Sequence, residues 1–264
     1  MTTDSGLQAR QVSLSYGDRL VSRELSLRVP TGAFTAIIGP NGCGKSTLLR
    51  AFARLLNPKE GQVVLDGRDI ATMRAKTLAR QVGLLPQTAI APDGIRVVDL
   101  VARGRYPHQR AFDRWSRGDE EAVTRAMRET DVAQFSDRLV DELSGGQRQR
   151  VWIAMTLAQE TPTLLLDEPT TFLDIGHQID VLNLFGRINS ASGRTIVAVL
   201  HDLNHAARYA DVVVAMRDGR IVAQGPPAQV VTPGTVEAVF DLPCQVITDP
   251  VAGTPLVVPV GDRN

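Results

Sequence analysis

The chain has 264 residues, of which 43% are hydrophobic and 22% charged, so it is long enough to bury a large globular core. Its 29 basic and 29 acidic residues cancel, which argues against a nucleic-acid partner held by an overall positive field. Two cysteines make no disulfide framework and favour a reducing compartment. Residues 1–10 lack a signal sequence and no apolar run approaches the about 18–20 residues that span a bilayer, so we expect a soluble chain.

Alternating apolar and polar residues near the N-terminus predict two half-buried strands. The apolar positions in these strands are Val12, Leu14, Tyr16, Leu25, Leu27 and Val29. A third strand is predicted at residues 34–38, which are almost entirely apolar. A helix is predicted at residues 46–56.

Between that third strand and the helix lies a glycine-rich segment with the spacing of a phosphate-binding loop. In such a loop the glycines let backbone N–H groups close around an anion, Lys45 reaches the terminal phosphates and the Ser46 hydroxyl binds Mg²⁺. The following helix would point its first amides at the phosphates. The alternative is a tight turn without a ligand. The segment consists of Gly39, Pro40, Asn41, Gly42, Cys43, Gly44, Lys45, Ser46 and Thr47.

Cys43 lies inside this loop between two glycines. From its position we expect the thiol to be accessible to reagents when no nucleotide is bound. A bulky group on it would then block the loop.

The middle of the chain changes from strand to helix patterning. Residues 61–67 predict a short strand that ends in an Asp66-Gly67 turn. Residues 99–159 show helical periodicity, with Val123, Met127 and Thr130 on one stripe. This segment is predicted to be a helical lobe inserted into an α/β core.

Strand patterning returns in the last third of the chain. Residues 163–166 and 195–200 are nearly continuous apolar runs, as in parallel strands that are covered on both faces. Residues 212–215 and 220–223 flank Asp218-Gly219 and predict a hairpin. The tail after Gly225 is rich in Pro and Val and suggests no function of its own.

Two carboxylates, Asp167 and Glu168, follow the apolar run at 163–166. Charges at the end of a buried strand are costly unless they meet a metal or another partner. In phosphate-loop ATPases the first acid holds Mg²⁺ and the second orients and deprotonates the attacking water. The alternative is a strand that ends in an ordinary polar turn.

A second helix start has the sequence Ser144-Gly145-Gly146-Gln147. Ser144 and Gln147 form a capping box, which explains those two residues structurally. The two glycines in the first turn cost about 1 kcal/mol each relative to alanine, so they suit a close approach by an anion. One nucleotide rarely needs two such helix starts from one chain. Two copies arranged head to tail would sandwich two nucleotides.

With these motifs the chain resembles the nucleotide-binding subunits of ATP-binding-cassette (ABC) transporters over nearly its whole length. Residues 143–147 match that family's signature without a substitution. The resemblance implies one ABC domain over residues 1–264, with an α/β phosphate-loop NTPase core and an antiparallel β subdomain. It also implies a helical subdomain inserted at about 88–160 and a C-terminal extension at about 226–264.

The resemblance further assigns residues that spacing alone does not. Tyr16 would stack on adenine, and Gln87 would sense Mg²⁺. Residues 171–174, from Thr171 to Asp174, would form the loop that meets a partner subunit, and His201 would contact the γ-phosphate. Tyr16 also fits a plain half-buried strand, and His201 an ordinary strand end. The family usually has Ser-Ala at the positions of Thr171 and Phe172.

The same resemblance implies an importer ATPase that binds ATP and Mg²⁺. No membrane helices are fused to the cassette, there is only one cassette, and there is no heptad run. Segments 99–108, 170–179 and 201–209 are similar to the subfamily that serves ferric siderophores, vitamin B12 and haem, with the ferric-siderophore branch closest. Alternatives are import of vitamin B12 or haem, a soluble ABC ATPase that remodels a protein or nucleic-acid complex, and a pseudo-ATPase that is disfavoured by the complete catalytic set.

Such a subunit would pair with a second copy of itself and with permease subunits, and indirectly with a substrate-binding protein. It would lie at the cytoplasmic side of the cell membrane as a peripheral protein. Residues 87–112, which include Tyr106 and His108, are expected to form a loop that receives a helix of the permease. His108, His177 and His205 show no metal-ligand spacing, and Arg148 and Arg150 are given no site role.

Overall fold

The computed structural model describes residues 5–109, 114–171 and 173–261. The strands are β1 (Leu7–Tyr16), β2 (Arg19–Arg28), β3 (Phe34–Ile38), β4 (Glu60–Leu65), β5 (Arg68–Asp69), β6 (Val82–Leu85), β7 (Thr163–Asp167), β8 (Thr195–Val199), β9 (Val212–Arg217), β10 (Arg220–Gly225), β11 (Cys244–Thr248) and β12 (Pro255–Pro259). The helices are α1 (Lys45–Phe52), α2 (Ala75–Ala79), α3 (Val97–Ala102), α4 (Arg117–Glu129), α5 (Gly145–Ala158), α6 (Ile175–Ser192), α7 (Leu203–Tyr209), α8 (Pro227–Val230) and α9 (Pro233–Phe240).

The chain divides into two compact units. The first unit comprises residues 1–73 and 195–264, and the second comprises residues 74–194. Within the described ranges, no helix is both long and apolar enough to cross a bilayer.

Parallel pairing organises the main sheet of the first unit, in which the strand order is β10-β9-β3-β8. β3 runs parallel to both β8 and β9, and every residue of β3 and β8 is buried. Burial on both faces explains their continuous apolar sequences. β9 and β10 form the predicted antiparallel hairpin. Its turn residues Asp218 and Gly219 have φ values of 49° and 74°, as a tight two-residue hairpin turn requires.

A second sheet of the first unit is antiparallel, in the order β2-β1-β4-β5. Leu25 and Leu27 are buried and alternate with exposed residues, so the half-buried prediction for β2 is confirmed. The same prediction is wrong for β1, where Ser13 and Ser15 are buried beside their apolar neighbours. The Ser13 hydroxyl donates to Glu60 Oε2 at 3.0 Å, which makes burial of this polar group tolerable.

The helix predicted at 46–56 is wrong at its end, because α1 stops at Phe52. Arg54 adopts a left-handed φ of 56°, and the Leu55 N–H donates to the Arg50 carbonyl at 2.8 Å. This is a Schellman cap with arginine in the position where glycine is usual. The Arg54 guanidinium donates to the carbonyls of Ile70 (2.8 Å) and Met73 (2.6 Å), which holds the unfavourable conformation in place. Tertiary contacts therefore end this helix.

The second unit contains the parallel pair β6–β7 and the helices α2–α6. Val123, Met127 and Thr130 are all buried, as their shared stripe predicted. The segment 87–112 is not the predicted loop, since it contains α3 and a 3-10 turn at Arg103–His108. Both pieces are too short to show a helical period in sequence. Phe112 lies outside the described residues.

A buried arginine ties these helices together. Arg105 is 6% exposed and donates to Asp119 Oδ1 (2.9 Å), Glu160 Oε2 (2.7 Å) and the Ala158 carbonyl (2.7 Å). Burial acts to raise the pKa of Asp119, but hydrogen bonds from Ser116 and Arg105 outweigh it and leave that pKa below its ordinary value. Asp119 is therefore held in its charged form.

We expect Arg105→Met to destabilise the fold by about 3–5 kcal/mol, because it leaves the buried Asp119 carboxylate without its cation. The matched control is Arg117→Met, whose ion pair with Glu121 is exposed and is worth at most about 1 kcal/mol. Urea denaturation of the two variants measures the difference. Equal losses in the two variants would contradict a structural role for Arg105.

Candidate active site

The predicted phosphate loop connects the carboxyl end of β3 to the start of α1. At Gly39 the backbone passes so close to the Met216 carbonyl oxygen that a β-carbon would collide with it. Gly44 is the N-cap of α1 with a φ of 105°, and it brings no side-chain acceptor to the first turn. The amides at that helix end therefore suit an anion.

Lys45, the first residue of α1, is only 5% exposed. Its ammonium group donates to the carbonyls of Gly39 (2.8 Å) and Pro40 (2.9 Å). A buried cation thus lies at the entrance of the loop, where a terminal phosphate would need it.

The expectation that the Cys43 thiol is accessible is wrong. Cys43 is 4% exposed, and a β-carbon at Gly39 would lie only 2.8 Å from its Sγ. Burial raises the pKa of this thiol, although the charge of Lys45 acts in the opposite direction. The side chain packs inward, so Cys43 contributes backbone to the loop and little thiol reactivity.

His201 shares an edge of the sheet with the phosphate loop. β3 and β8 are parallel neighbours with Ile37 opposite Val199, and the Leu200 N–H donates to the Ile37 carbonyl at 3.1 Å. Because parallel strands end at the same edge, His201 follows β8 where the loop follows β3. The structure brings these two predicted elements of the first unit together.

Tyr16 ends β1 with 45% of its surface exposed. Its hydroxyl accepts a hydrogen bond from Arg50 Nη1 on α1 at 3.1 Å. This bond fixes the ring relative to the helix that follows the phosphate loop. The exposed ring is suited to stacking on a planar ligand.

In the second unit, the carboxylate pair lies at the end of β7. Asp167 is the last residue of the strand and is 3% exposed. Glu168 follows with a left-handed φ of 52°, an unfavourable conformation for a residue with a side chain. Strain of this kind costs of the order of 1–3 kcal/mol and is concentrated at functional sites.

Two donors hold the Glu168 carboxylate in place. Gln87 Nε2 donates to Glu168 Oε2 at 2.6 Å, and Thr171 Oγ1 donates to the same oxygen at 3.1 Å. Gln87 is brought there because β6 and β7 are parallel and end at one edge. The resemblance places Thr171 only in the loop that meets a partner subunit, so the hydrogen bond from Thr171 to Glu168 was not predicted. The three-residue spacing of Thr171 from Glu168 across a turn is the signal that was available.

The helix start at Ser144 has the predicted capping box. The Gln147 N–H donates to Ser144 Oγ at 3.3 Å, and the Ser144 N–H donates to Gln147 Oε1 at 3.1 Å. A β-carbon at Gly145 would meet nothing within 4 Å, so the fold does not require glycine there. Gly146 faces the ring of His177, with 3.5 Å between that ring and an added β-carbon.

His177 also links this helix start to Asp174. The Asp174 carboxylate accepts from the His177 backbone N–H at 2.9 Å and contacts its ring Nδ1 at 2.8 Å. Both bonds hold the pKa of Asp174 below its ordinary value, and the bond from the His177 backbone N–H is the larger cause. No pattern in the sequence predicts this role of His177. Phe172, two residues before Asp174, lies outside the described residues.

No group of three or more His, Cys, Asp or Glu side chains suited to a metal occurs among the residues that the structure describes. The predicted metal-binding residues instead offer a hydroxyl (Ser46), a carboxylate (Asp167) and an amide oxygen (Gln87). Oxygen atoms are the ligands that Mg²⁺ takes in proteins, where it usually retains several waters and is held partly by phosphates.

Known proteins are similar to this chain in both sequence and architecture. A family model described as ABC transporter matches residues 22–171. The chain is 57% identical over 255 residues to the ferric enterobactin transport ATP-binding protein FepC of Escherichia coli (strain K12). The alignment covers 97% of this chain and 94% of that protein.

Solved structures agree. A chain from a transporter assigned to the metal-chelate ABC type, in an inward-facing conformation, superposes with a TM-score of 0.83 at 26% identity and 98% coverage of both chains. A dimeric ATP-binding cassette in a post-hydrolysis state with ADP and Pi gives a TM-score of 0.73 at 25% identity, covering 83% of this chain and 98% of that one. The predicted α/β phosphate-loop fold is confirmed, and the chain belongs to the ABC transporter family.

Proposed function

We propose that the chain is the ATP-hydrolysing subunit of an importer that carries a ferric siderophore through a membrane permease. The observation that carries the chemistry is the strained Glu168 at the end of β7, held by Gln87 and Thr171. The cargo is inferred from the high identity to a ferric enterobactin transport protein over nearly the whole chain.

In this proposal the phosphate loop binds the ATP phosphates through its backbone amides and through Lys45. Ser46, Asp167 and Gln87 would hold Mg²⁺, which neutralises charge on the phosphate oxygens. Tyr16 would stack on adenine. The cofactors are therefore ATP and Mg²⁺.

Glu168 would act as the general base. Its carboxylate would orient a water molecule and accept its proton as the water attacks the γ-phosphate. The bonds from Gln87 and Thr171 keep the side chain in one direction, so little reorganisation is needed at the moment of reaction. His201, at the edge of the sheet beside the phosphate loop, would hold the γ-phosphate.

The signature helix would act on a second copy of the chain. Ser144, Gly145, Gly146 and Gln147 present a helix start whose first glycine has open space beside it. An anion can approach that backbone closely. In a head-to-tail dimer this helix would complete the partner copy's phosphate site, and Asp174 would lie in the loop between the two copies.

The 3-10 turn at Arg103–His108 is the proposed contact with the permease, at the cytoplasmic face of the membrane. Tyr106 is 67% exposed, and Lys76 Nζ lies 4.6 Å from its ring centre. Arg80 Nε donates to the Pro107 carbonyl at 2.8 Å, and His108 Nε2 contacts the Gln159 carbonyl at 2.8 Å. The turn is thus anchored while Tyr106 stays available to a partner. A substrate-binding protein would deliver the cargo to that permease.

Glu168→Gln should lower kcat for ATP hydrolysis by about 10²–10⁴-fold while preserving ATP binding, because only the base is lost. Lys45→Ala should instead lose ATP affinity. Nucleotide-binding titrations and phosphate-release assays separate the two effects. Parental turnover in Glu168→Gln would rule out Glu168 as the base, and undiminished ATP binding in Lys45→Ala would rule out the phosphate loop as the ATP site.

Gly145→Ala should leave the fold intact, and even strengthen α5 by up to about 1 kcal/mol, because alanine is the better helix former and meets no neighbour. Its ATPase activity should nevertheless fall, since the β-carbon obstructs close approach of the partner copy's nucleotide. Thermal unfolding and turnover are measured together. A stable variant with full activity would contradict the dimer proposal.

Deleting the gene should impair growth on a ferric siderophore as sole iron source, and the wild-type gene should restore it. Tyr106→Ala should fail to restore uptake while keeping basal ATPase activity. Thr72→Ala, at an exposed residue of the 3-10 turn Ile70–Thr72 in the first unit, is the control and should restore growth. Normal siderophore uptake in the deletion strain, with impaired vitamin B12 or haem uptake, would reassign the cargo. Normal uptake of all three would favour a non-transport ATPase.

A further inference from the structure

We propose that the turn between β9 and β10 orients the phosphate loop, with Gly219 as a positioning residue for the binding of nucleotide phosphates. The inference rests on the proposed function in one respect, namely that the loop at residues 39–47 is where ATP binds. The Asp218-Gly219 turn, which the sequence predicts only as the tip of a hairpin, thereby has a role at the nucleotide site.

A hydrogen bond joins the turn directly to the loop. The Gly219 N–H donates to the Cys43 carbonyl at 3.0 Å. In a trans peptide the carbonyl and the following N–H lie in one plane and point in opposite directions. A Cys43 carbonyl held toward the turn therefore sets the Gly44 N–H away from it. The turn thereby fixes the direction of one amide at the start of α1, where an anion is bound by such groups.

Residues of the same hairpin and of β2 also lie close to both ends of the phosphate loop. At its start, the Gly39 backbone lies against the Met216 carbonyl of β9. At its end, a β-carbon on Gly44 would lie 3.2 Å from Ser22 Oγ and 3.9 Å from Gly219 Cα. The loop is thus bounded by rigid backbone and short side chains, so its shape does not depend on the ligand alone.

The hairpin is in turn tied to the C-terminal extension. Arg217 donates to both carboxylate oxygens of Asp241, at 2.9 and 2.8 Å, and to the Ala238 carbonyl at 2.7 Å. A two-pronged bond of this kind restrains direction as well as distance. Asp241 is the C-cap of helix α9, so this helix end restrains the strand that leads into the turn.

A second turn in the same unit provides a matched comparison. Gly67 follows Asp66 with φ values of 76° and 49°, nearly those of Gly219 and Asp218. Gly67 is exposed, whereas Gly219 is buried and a β-carbon there would collide with the Val21 carbonyl oxygen. Asparagine tolerates this left-handed conformation, so it adds a side chain with little backbone strain. Asparagine at Gly67 therefore tests the conformation of an Asp-Gly turn alone. Asparagine at Gly219 tests the same conformation together with the contact between the turn and the phosphate loop.

The test measures the Kd of MgATP for the full-length wild type, Gly219→Asn and Gly67→Asn, each with its melting temperature. We expect the Kd to rise about tenfold in Gly219→Asn, as for the loss of one charge-assisted hydrogen bond, and to stay unchanged in Gly67→Asn. A wild-type Kd in folded Gly219→Asn overturns the proposal. An equal rise in both variants also overturns it, because the effect would then be general.

A measurement on the wild type keeps the proposal testable if Gly219→Asn does not fold. Amide exchange at Gly219 should slow by about tenfold or more when MgATP is added, because nucleotide stabilises the loop that accepts this N–H. No change in exchange at saturating MgATP overturns the inference. If the wild type does not bind ATP, or if Lys45→Ala binds it equally well, the proposed function fails and the inference fails with it. If the wild type binds ATP through the phosphate loop but neither the Gly219→Asn Kd nor the exchange at Gly219 changes, only this inference fails and the proposed function stands.

Discussion

Parallel strand pairing is the constraint on which the candidate site depends. In the first unit, pairing of β3 with β8 brings the phosphate loop and His201 to one edge. In the second unit, pairing of β6 with β7 does the same for Gln87 and Glu168. Residues far apart in sequence meet because parallel strands end on the same side of a sheet. The strand ends that carry these residues are thus positioned by backbone hydrogen bonds.

In both units, residues of the candidate site have backbone in an unfavourable or crowded conformation. Glu168 has a positive φ at the end of a buried strand, and Gly39 lies against a carbonyl that excludes a β-carbon. Such features cost stability and persist only where the surrounding structure enforces them. Around Glu168, the side chains of Gln87 and Thr171 supply that enforcement. Around the phosphate loop, neighbouring backbone supplies it.

Much of the fold could be predicted because local patterns and tertiary demands agree. The strand before the phosphate loop, the Ser144 capping box and the Asp218-Gly219 turn all follow from short-range chemistry, and the structure has each of them. The predictions failed where distant contacts override local preference. Arg54 ends α1 because two distant carbonyls bind its guanidinium, and the Cys43 side chain turns inward although its glycine neighbours suggested an open loop.

The sequence by itself determined the family and the identities of the reactive groups, because a phosphate loop and a signature helix are encoded in contiguous residues. It did not determine what holds those groups. The hydrogen bonds from Thr171 to Glu168, from Gly219 to Cys43 and from His177 to Asp174 arose only in the structure. Orientation depends on angles at turns and strand ends, and small changes there redirect a side chain or an amide completely. Only tertiary packing selects among those angles, so the reactive groups were predictable and their supports were not.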